Sequence, residues 1–203
     1  MLPSGKMPYE VFIPAYRDEI LSDTVMVYGN VDEVELVLNG KTIRRQTADK
    51  GPDSDYIPVP NGGNGKNLHF PPFTFYGVPK ERGVLKAVGY HQGKKVAEYT
   101  VKTPGVPERL DITYFESGKP ATKNDLLIVY VRMLDKQGVL CPVNGIPVEL
   151  SVQGGEIVGP TSYPLEAGVA SFLVRTGEIS KINIRATSKE FSTYKKIKIK
   201  NSL

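Results

Sequence analysis

Two glutamates two positions apart, Glu33 and Glu35, are the first candidates for chemistry in this 203-residue chain. Glycosidic bond cleavage needs a pair of carboxyl groups, one giving up a proton while the other attacks or activates water, and in retaining enzymes they stand about 5–5.5 Å apart across the sugar. The run Glu33-Val-Glu-Leu-Val-Leu38 alternates polar and apolar residues, which is the pattern of a half-buried strand. On a strand, side chains at i and i+2 leave one wall in parallel, about 6.5–7 Å apart. A bond-cleaving pair has to converge from opposite walls, so this spacing predicts a solvated polar sheet face.

The other reactive residue types give no constellation either. There are two histidines, His69 and His91, and neither sits in a nucleophile elbow or a zinc-binding helix pattern. His91 precedes the turn signal Gln92-Gly93 and is expected to be an exposed turn residue. Asp53-Ser-Asp55 offers oxygen ligands but lacks the longer spacing of a calcium loop. Asn61-Gly-Gly-Asn-Gly lacks the lysine and hydroxyl of a phosphate loop. The single cysteine, Cys141, excludes an internal disulfide and a cysteine-rich zinc site, and beside Pro142 it is expected to be a small residue after a turn. No metal and no cofactor is expected. Aromatic rings are the remaining lead, because sugars stack their C–H faces on them. Phe73 and Phe75 alternate within a strand pattern, which places at least one in the core, whereas Tyr56 and His69 are free of any such pattern. Tyr56 and His69 are therefore the candidate contacts with carbohydrate or with another domain.

The elements that would position these residues are strands throughout. Val34, Leu36 and Leu38 share a face, and Asn39-Gly40 supplies the positive φ angles of a two-residue hairpin. Leu85 to Tyr90, the turn Gln92-Gly93 and Val96 to Val101 form a second hairpin pattern. From about Arg45 to Pro72 the alternation breaks, with glycine and proline dense enough to predict a long loop, centred on 46–70. Thr103-Pro-Gly-Val-Pro-Glu108 is the domain boundary, since its two prolines stop strand pairing. Beyond it, alternation resumes at Leu110, Ile112 and Tyr114, in the apolar run Leu126 to Leu134, and near Val148–Val152, Val169–Arg175, Lys181–Thr187 and Tyr194–Ile199. Short strands separated by turn signals predict an all-β chain of two tandem immunoglobulin-like β-sandwich domains, residues 1–104 and 105–203.

The formal charge of +4 is partly concentrated in Lys195-Lys-Ile-Lys-Ile-Lys200. There the lysines at 196, 198 and 200 alternate with Ile197 and Ile199, so the run predicts a strand with a solvated lysine face and no nucleic-acid partner. No stretch approaches the roughly 18 apolar residues of a membrane helix, so no membrane insertion is expected, and Met1 to Lys6 has no apolar signal core.

Four segments in order resemble bacterial family 2 glycoside hydrolases of the β-galactosidase type. Asn30, Asp32, Glu33, Val34, Leu36, Asn39, Gly40 and Lys41 match a run found after the catalytic barrel of those enzymes, with Gly29 in place of the usual serine. Pro71-Pro-Phe73 and Leu85-Lys-Ala-Val-Gly-Tyr90 match the segments that follow, and Ala167-Gly-Val-Ala170 with Leu173-Val-Arg-Thr176 resembles the family's next immunoglobulin-like domain. The resemblance runs from about Tyr9 to Ala186, and the loop near 46–70 is its chief departure. It implies a non-catalytic C-terminal region whose partner is the catalytic barrel of the same polypeptide, with carbohydrate as a further partner. The family's catalytic glutamates lie in a barrel of about 250 residues with eight helices, so they carry over to no residue here. Export of the parent to the bacterial periplasm or exterior is expected from a signal outside this segment. An autonomous carbohydrate-binding module and an immunoglobulin-like spacer or adhesin array are the alternatives.

Overall fold

The protein is described by a computed structural model covering residues 8–14, 23–49, 71–115 and 121–200. The chain divides into two compact units, Met1–Thr103 and Pro104–Leu203. Each is an antiparallel two-sheet sandwich of the immunoglobulin-like kind.

The first unit contains β1 (Val11–Phe12), β2 (Val25–Gly29), β3 (Glu33–Leu38), β4 (Lys41–Thr47), β5 (Phe73–Phe75), β6 (Val84–His91) and β7 (Lys94–Lys102). One sheet runs β1-β2-β5 and the other β4-β3-β6-β7. Period-two patterning decides which way each side chain points: Val34, Leu36 and Leu38 on β3 and Leu85 and Ala87 on β6 face Val11, Val27, Phe73 and Phe75, all of them buried. Asn39 and Gly40 adopt φ of 50° and 80°, the backbone that a two-residue hairpin needs. Strand β4 continues to Thr47, past Arg45, where the alternation was expected to break. Its polar residues are held from outside, with Gln46 Nε2 donating to the Thr74 carbonyl at 2.9 Å. Both Phe73 and Phe75 are fully buried. Thr74 between them is buried as well, because Asp49 accepts from its backbone N–H and its hydroxyl.

The second unit contains β8 (Pro107–Tyr114), β9 (Leu126–Asp135), β10 (Pro147–Gln153), β11 (Gly155–Ile157), β12 (Ser162–Pro164), β13 (Val169–Thr176), β14 (Lys181–Thr187) and β15 (Ser192–Lys198). The sheets run β12-β10-β14-β15 and β11-β13-β9-β8. Between them lie Leu110, Ile112, Val129, Val131, Met133, Leu150, Phe172, Val174, Ile182, Ile184 and Ile197, all buried. The prolines of the boundary segment do not exclude pairing: β8 starts at Pro107, opposite Asp135, at a register shift between Pro107 and Arg109. A proline is tolerated at a strand's first residue and at a bulge because no ladder N–H is needed there. The lysine run behaves as its alternation predicts, with Ile197 and Ile199 buried and the lysines at 196, 198 and 200 exposed.

Candidate functional site

Glu33 and Glu35 leave the outer face of the β4-β3-β6-β7 sheet side by side, and each is already engaged. Glu33 pairs with the Arg45 guanidinium at 2.6 Å. Glu35 accepts from the Thr42 hydroxyl at 2.6 Å and from the Tyr90 phenol at 2.7 Å. Arg45 also lies 3.7 Å from the centroid of the Tyr90 ring, within cation–π range. On the neighbouring strand Glu98 takes both Lys86 and Lys95. The hydrogen bond from Thr42, followed by that from Tyr90, holds the Glu35 carboxyl below its ordinary value. A general acid for glycoside cleavage needs the opposite shift. This face is a closed polar network, half-exposed rather than simply solvated, and its carboxylates brace the sheet.

His91 is likewise tied down instead of free at its turn. Its Nδ1 lies 3.0 Å from Asp32 Oδ1, the Gln92 backbone N–H donates to Asp32 Oδ2 at 2.8 Å, and the Tyr9 ring stacks on the imidazole at 4.7 Å. The Gln92 N–H and then His91 lower the Asp32 carboxyl. Asn30 and Asn39, two further polar residues of the same run, also serve the backbone. Asn30 Oδ1 accepts from Glu10 N–H and Asn39 Oδ1 from Val84 N–H, while their amide nitrogens donate to Pro8 and Arg82 carbonyls.

Tyr56 and His69, the two candidate contact residues, lie outside the described residues, as do Asp53 and Asp55. Among the described residues no group of three His, Cys, Asp or Glu side chains could hold a metal ion. Cys141 is buried, its thiol facing the Gly105 and Val139 carbonyls, and burial followed by the charge of Asp135 pushes its pKa up.

Two features were not singled out by sequence reasoning. Asp135, the last residue of β9, is 4% exposed and gathers the backbone N–H groups of Gly105, Gln137 and Val139 at 2.8 Å each. The Gly105 N–H is the largest cause of its lowered pKa, opposed by burial. The second feature is apolar. On the outer face of the β11-β13-β9-β8 sheet, Leu126 is 50% and Ile128 42% exposed, and Phe115, whose N–H donates to the Ile128 carbonyl, is 58% exposed. Alternation could have shown it: Leu126 and Ile128 fall on the opposite parity from the core residues Leu127 and Val129.

Known proteins match this arrangement. A family model described as "Domain of unknown function (DUF4982)" matches residues 22–97. A β-galactosidase of Thermoanaerobacter pseudethanolicus is 29% identical over 201 residues, covering 93% of this chain and 25% of that protein. A β-galactosidase of Rhizobium radiobacter is 30% identical over 127 residues, 62% of this chain and 91% of that sequence. The crystal structure of a glycosyl hydrolase family 2 member from Bacteroides cellulosilyticus DSM 14838 superimposes with a TM-score of 0.66 at 26% identity, over 86% of this chain and 24% of that one. The chain thus spans about a quarter of the Thermoanaerobacter protein and of the Bacteroides structure. Its sandwiches, its braced carboxylates and these likenesses agree: the chain belongs to the bacterial glycoside hydrolase family 2 proteins, as a non-catalytic, immunoglobulin-like accessory region.

Proposed function

We propose that the chain is the C-terminal accessory region of a β-galactosidase-type enzyme, that its two sandwiches, residues 1–104 and 105–203, brace the catalytic barrel of the same polypeptide, and that the parent is exported to the periplasm or the cell exterior. The observation that carries the bracing role is the exposed apolar strip of Leu126, Ile128 and Phe115 on one sheet of the second unit. Contiguous apolar surface of this kind marks a contact with another protein surface. The Thermoanaerobacter relative is about four times as long as this chain, which leaves room for a domain to cover the strip, and the β-galactosidase names of that protein and of the Rhizobium one favour a β-galactoside substrate for the parent. Tyr56 and His69 are proposed to border the sugar entrance or the contact with the barrel.

The test is Ile128→Lys, made both in the full-length parent and in the 203-residue chain. Ile128 is exposed in this structure, so the short chain should melt as before. The parent should lose thermal stability and activity on an aryl β-galactoside, and an unchanged parent would overturn the bracing role. Comparing aryl β-galactoside with aryl β-glucuronide on the parent decides the sugar. Tyr56→Ala and His69→Ala should raise its KM with little change in kcat.

A further inference from the structure

The sheet on the other side of the second unit has a different surface. Its outward residues on β10, β14 and β15 form rows across the strands: Ser151, Arg185 and Tyr194 in one, Gln153, Asn183 and Lys196 in the next, and Lys181 with Lys198 beyond. The first two rows line an open depression of about 710 Å³. Tyr194 is 71% exposed, although a tyrosine ring on a sheet face is ordinarily covered in part. Four cations, Arg185, Lys181, Lys196 and Lys198, stand on this face against one carboxylate, Glu149, at its far end.

What distinguishes this face is that it is unpaired. On the first unit's outer sheet, Arg45, Lys86 and Lys95 each meet a carboxylate within the sheet. On the second unit's basic face, the side chains of Ser151, Gln153, Asn183, Arg185, Tyr194, Lys181, Lys196 and Lys198 meet no hydrogen-bond or ion-pair partner among the described residues. Donors in excess, pointing the same way around one exposed ring, are arranged for an acceptor that comes from outside.

We infer that this face binds an acidic polysaccharide, one carrying uronate carboxylates. Neighbouring strands stand about 4.8 Å apart and successive rows about 6.5–7 Å, so the two rows cover roughly one to two pyranose rings. The Tyr194 ring offers an apolar plane for the C–H face of a sugar. Arg185, its cross-strand neighbour, offers the planar fork that matches a carboxylate. Asn183, Gln153 and Ser151 supply donors and acceptors for hydroxyl groups. An acidic protein partner fits less well, because a stable protein interface centres on buried apolar anchors and Tyr194 is the only exposed ring in these rows. This inference stands apart from the bracing role, since the apolar strip lies on the opposite sheet and is read by a different substitution.

Affinity electrophoresis of the 203-residue chain through gels containing polygalacturonate tests it, with neutral β-galactan, poly-L-glutamate and a single-stranded oligonucleotide as separate arms. Polygalacturonate should retard the chain most, and added salt should weaken the retardation without abolishing it. Arg185→Gln and Tyr194→Ala should each weaken binding about tenfold, the loss of one charge-assisted or stacking contact. Both positions are exposed, so far-UV circular dichroism should be unchanged, and Lys94→Ala on the first unit should bind as the unsubstituted 203-residue chain does. No retardation by polygalacturonate would overturn the inference. So would equal retardation by galactan, polyglutamate or oligonucleotide, or a Tyr194→Ala variant that binds undiminished, which would reduce the face to a general anion contact.

Discussion

Tyr90 on β6 donates its phenolic O–H to Glu35 on β3 at 2.7 Å, and the bond shifts both groups in the direction that protects it. Glu35 is held below its ordinary value of 4.5, first by Thr42 and then by Tyr90. Tyr90 is pushed above its ordinary value of 10.0, first by the bond to Glu35. A carboxyl lowered by folding contributes stability that is complete above pH 4.5 and lost as pH falls through its folded value. A phenol raised by folding contributes stability that is complete below pH 10.0 and lost as pH rises through its folded value.

Tyr90→Phe should therefore cost about 1 kcal/mol near pH 7, the usual net worth of one hydrogen bond. The difference from the unmodified chain should shrink above about pH 10 and below about pH 4.5. Urea midpoints measured from pH 3 to 11 read this directly. Two curves that stay parallel over the whole range would show that the pair contributes nothing specific.

How far the sequence could be read follows from which interactions are local. The turn at Asn39-Gly40 and the β3 alternation need only neighbouring residues, and both are as expected. The isoleucines at 197 and 199 are buried for the same reason. Strands β11 and β12 were not anticipated, because each has only three residues among glycine and proline, too few for an alternation to show, and each pairs with a strand that is not joined to it by a tight turn. The roles of His91, Asp32 and Asp135 were out of reach as well. Each depends on a backbone amide or ring brought up by the fold, and no spacing in the sequence encodes that. For the glutamates, alternation correctly gave the face and excluded convergence, but it could not show that Arg45, Thr42 and Tyr90 would close a network around them.

Phe73 and Phe75 are both fully buried in the first unit, where the sequence required only one. Phe73→Ala should cost about 3–5 kcal/mol, transfer of the ring plus the cavity left behind. If the two units unfold separately, a melt followed by calorimetry should show one transition moved down and the other in place. A single transition lowered as a whole would mean that the units unfold together.

Gly29 sits too close to the chain entering β1 to carry a side chain without a shift. A Cβ built there would lie 2.7 Å from the Glu10 carbonyl oxygen and 3.0 Å from Val11 Cγ1. The first neighbour is backbone, so relief requires β1 to move away from β2. Gly29→Ser should destabilise the chain by roughly 1–3 kcal/mol, the range for overpacking, and should speed hydrogen exchange at Asn30, whose N–H bonds to Glu10. Unchanged exchange there would mean that β1 accommodates the side chain without shifting.

Asp135 and Cys141 are linked through Gly105. Asp135 Oδ2 accepts the Gly105 N–H at 2.8 Å, and the Gly105 carbonyl in turn faces the Cys141 thiol at 3.6 Å. The lowered Asp135 carboxyl gives stability that is lost as pH falls through its folded value, below the ordinary 3.8, so this anchor holds at neutral pH. Asp135→Asn places an amide nitrogen or a weaker acceptor against an N–H, and a buried donor that loses its partner is costly. The substitution also removes the negative charge that helps to raise the thiol's pKa. Loosening the Gly105 segment and lowering the thiol pKa both favour the thiolate, the form that reacts. Cys141 in the unmodified chain should therefore resist a disulfide reagent at pH 8, while the Asp135→Asn chain reacts faster and melts several degrees lower. A lower melting temperature with an unchanged labelling rate would show that Asp135 stabilises the turn without shielding the thiol.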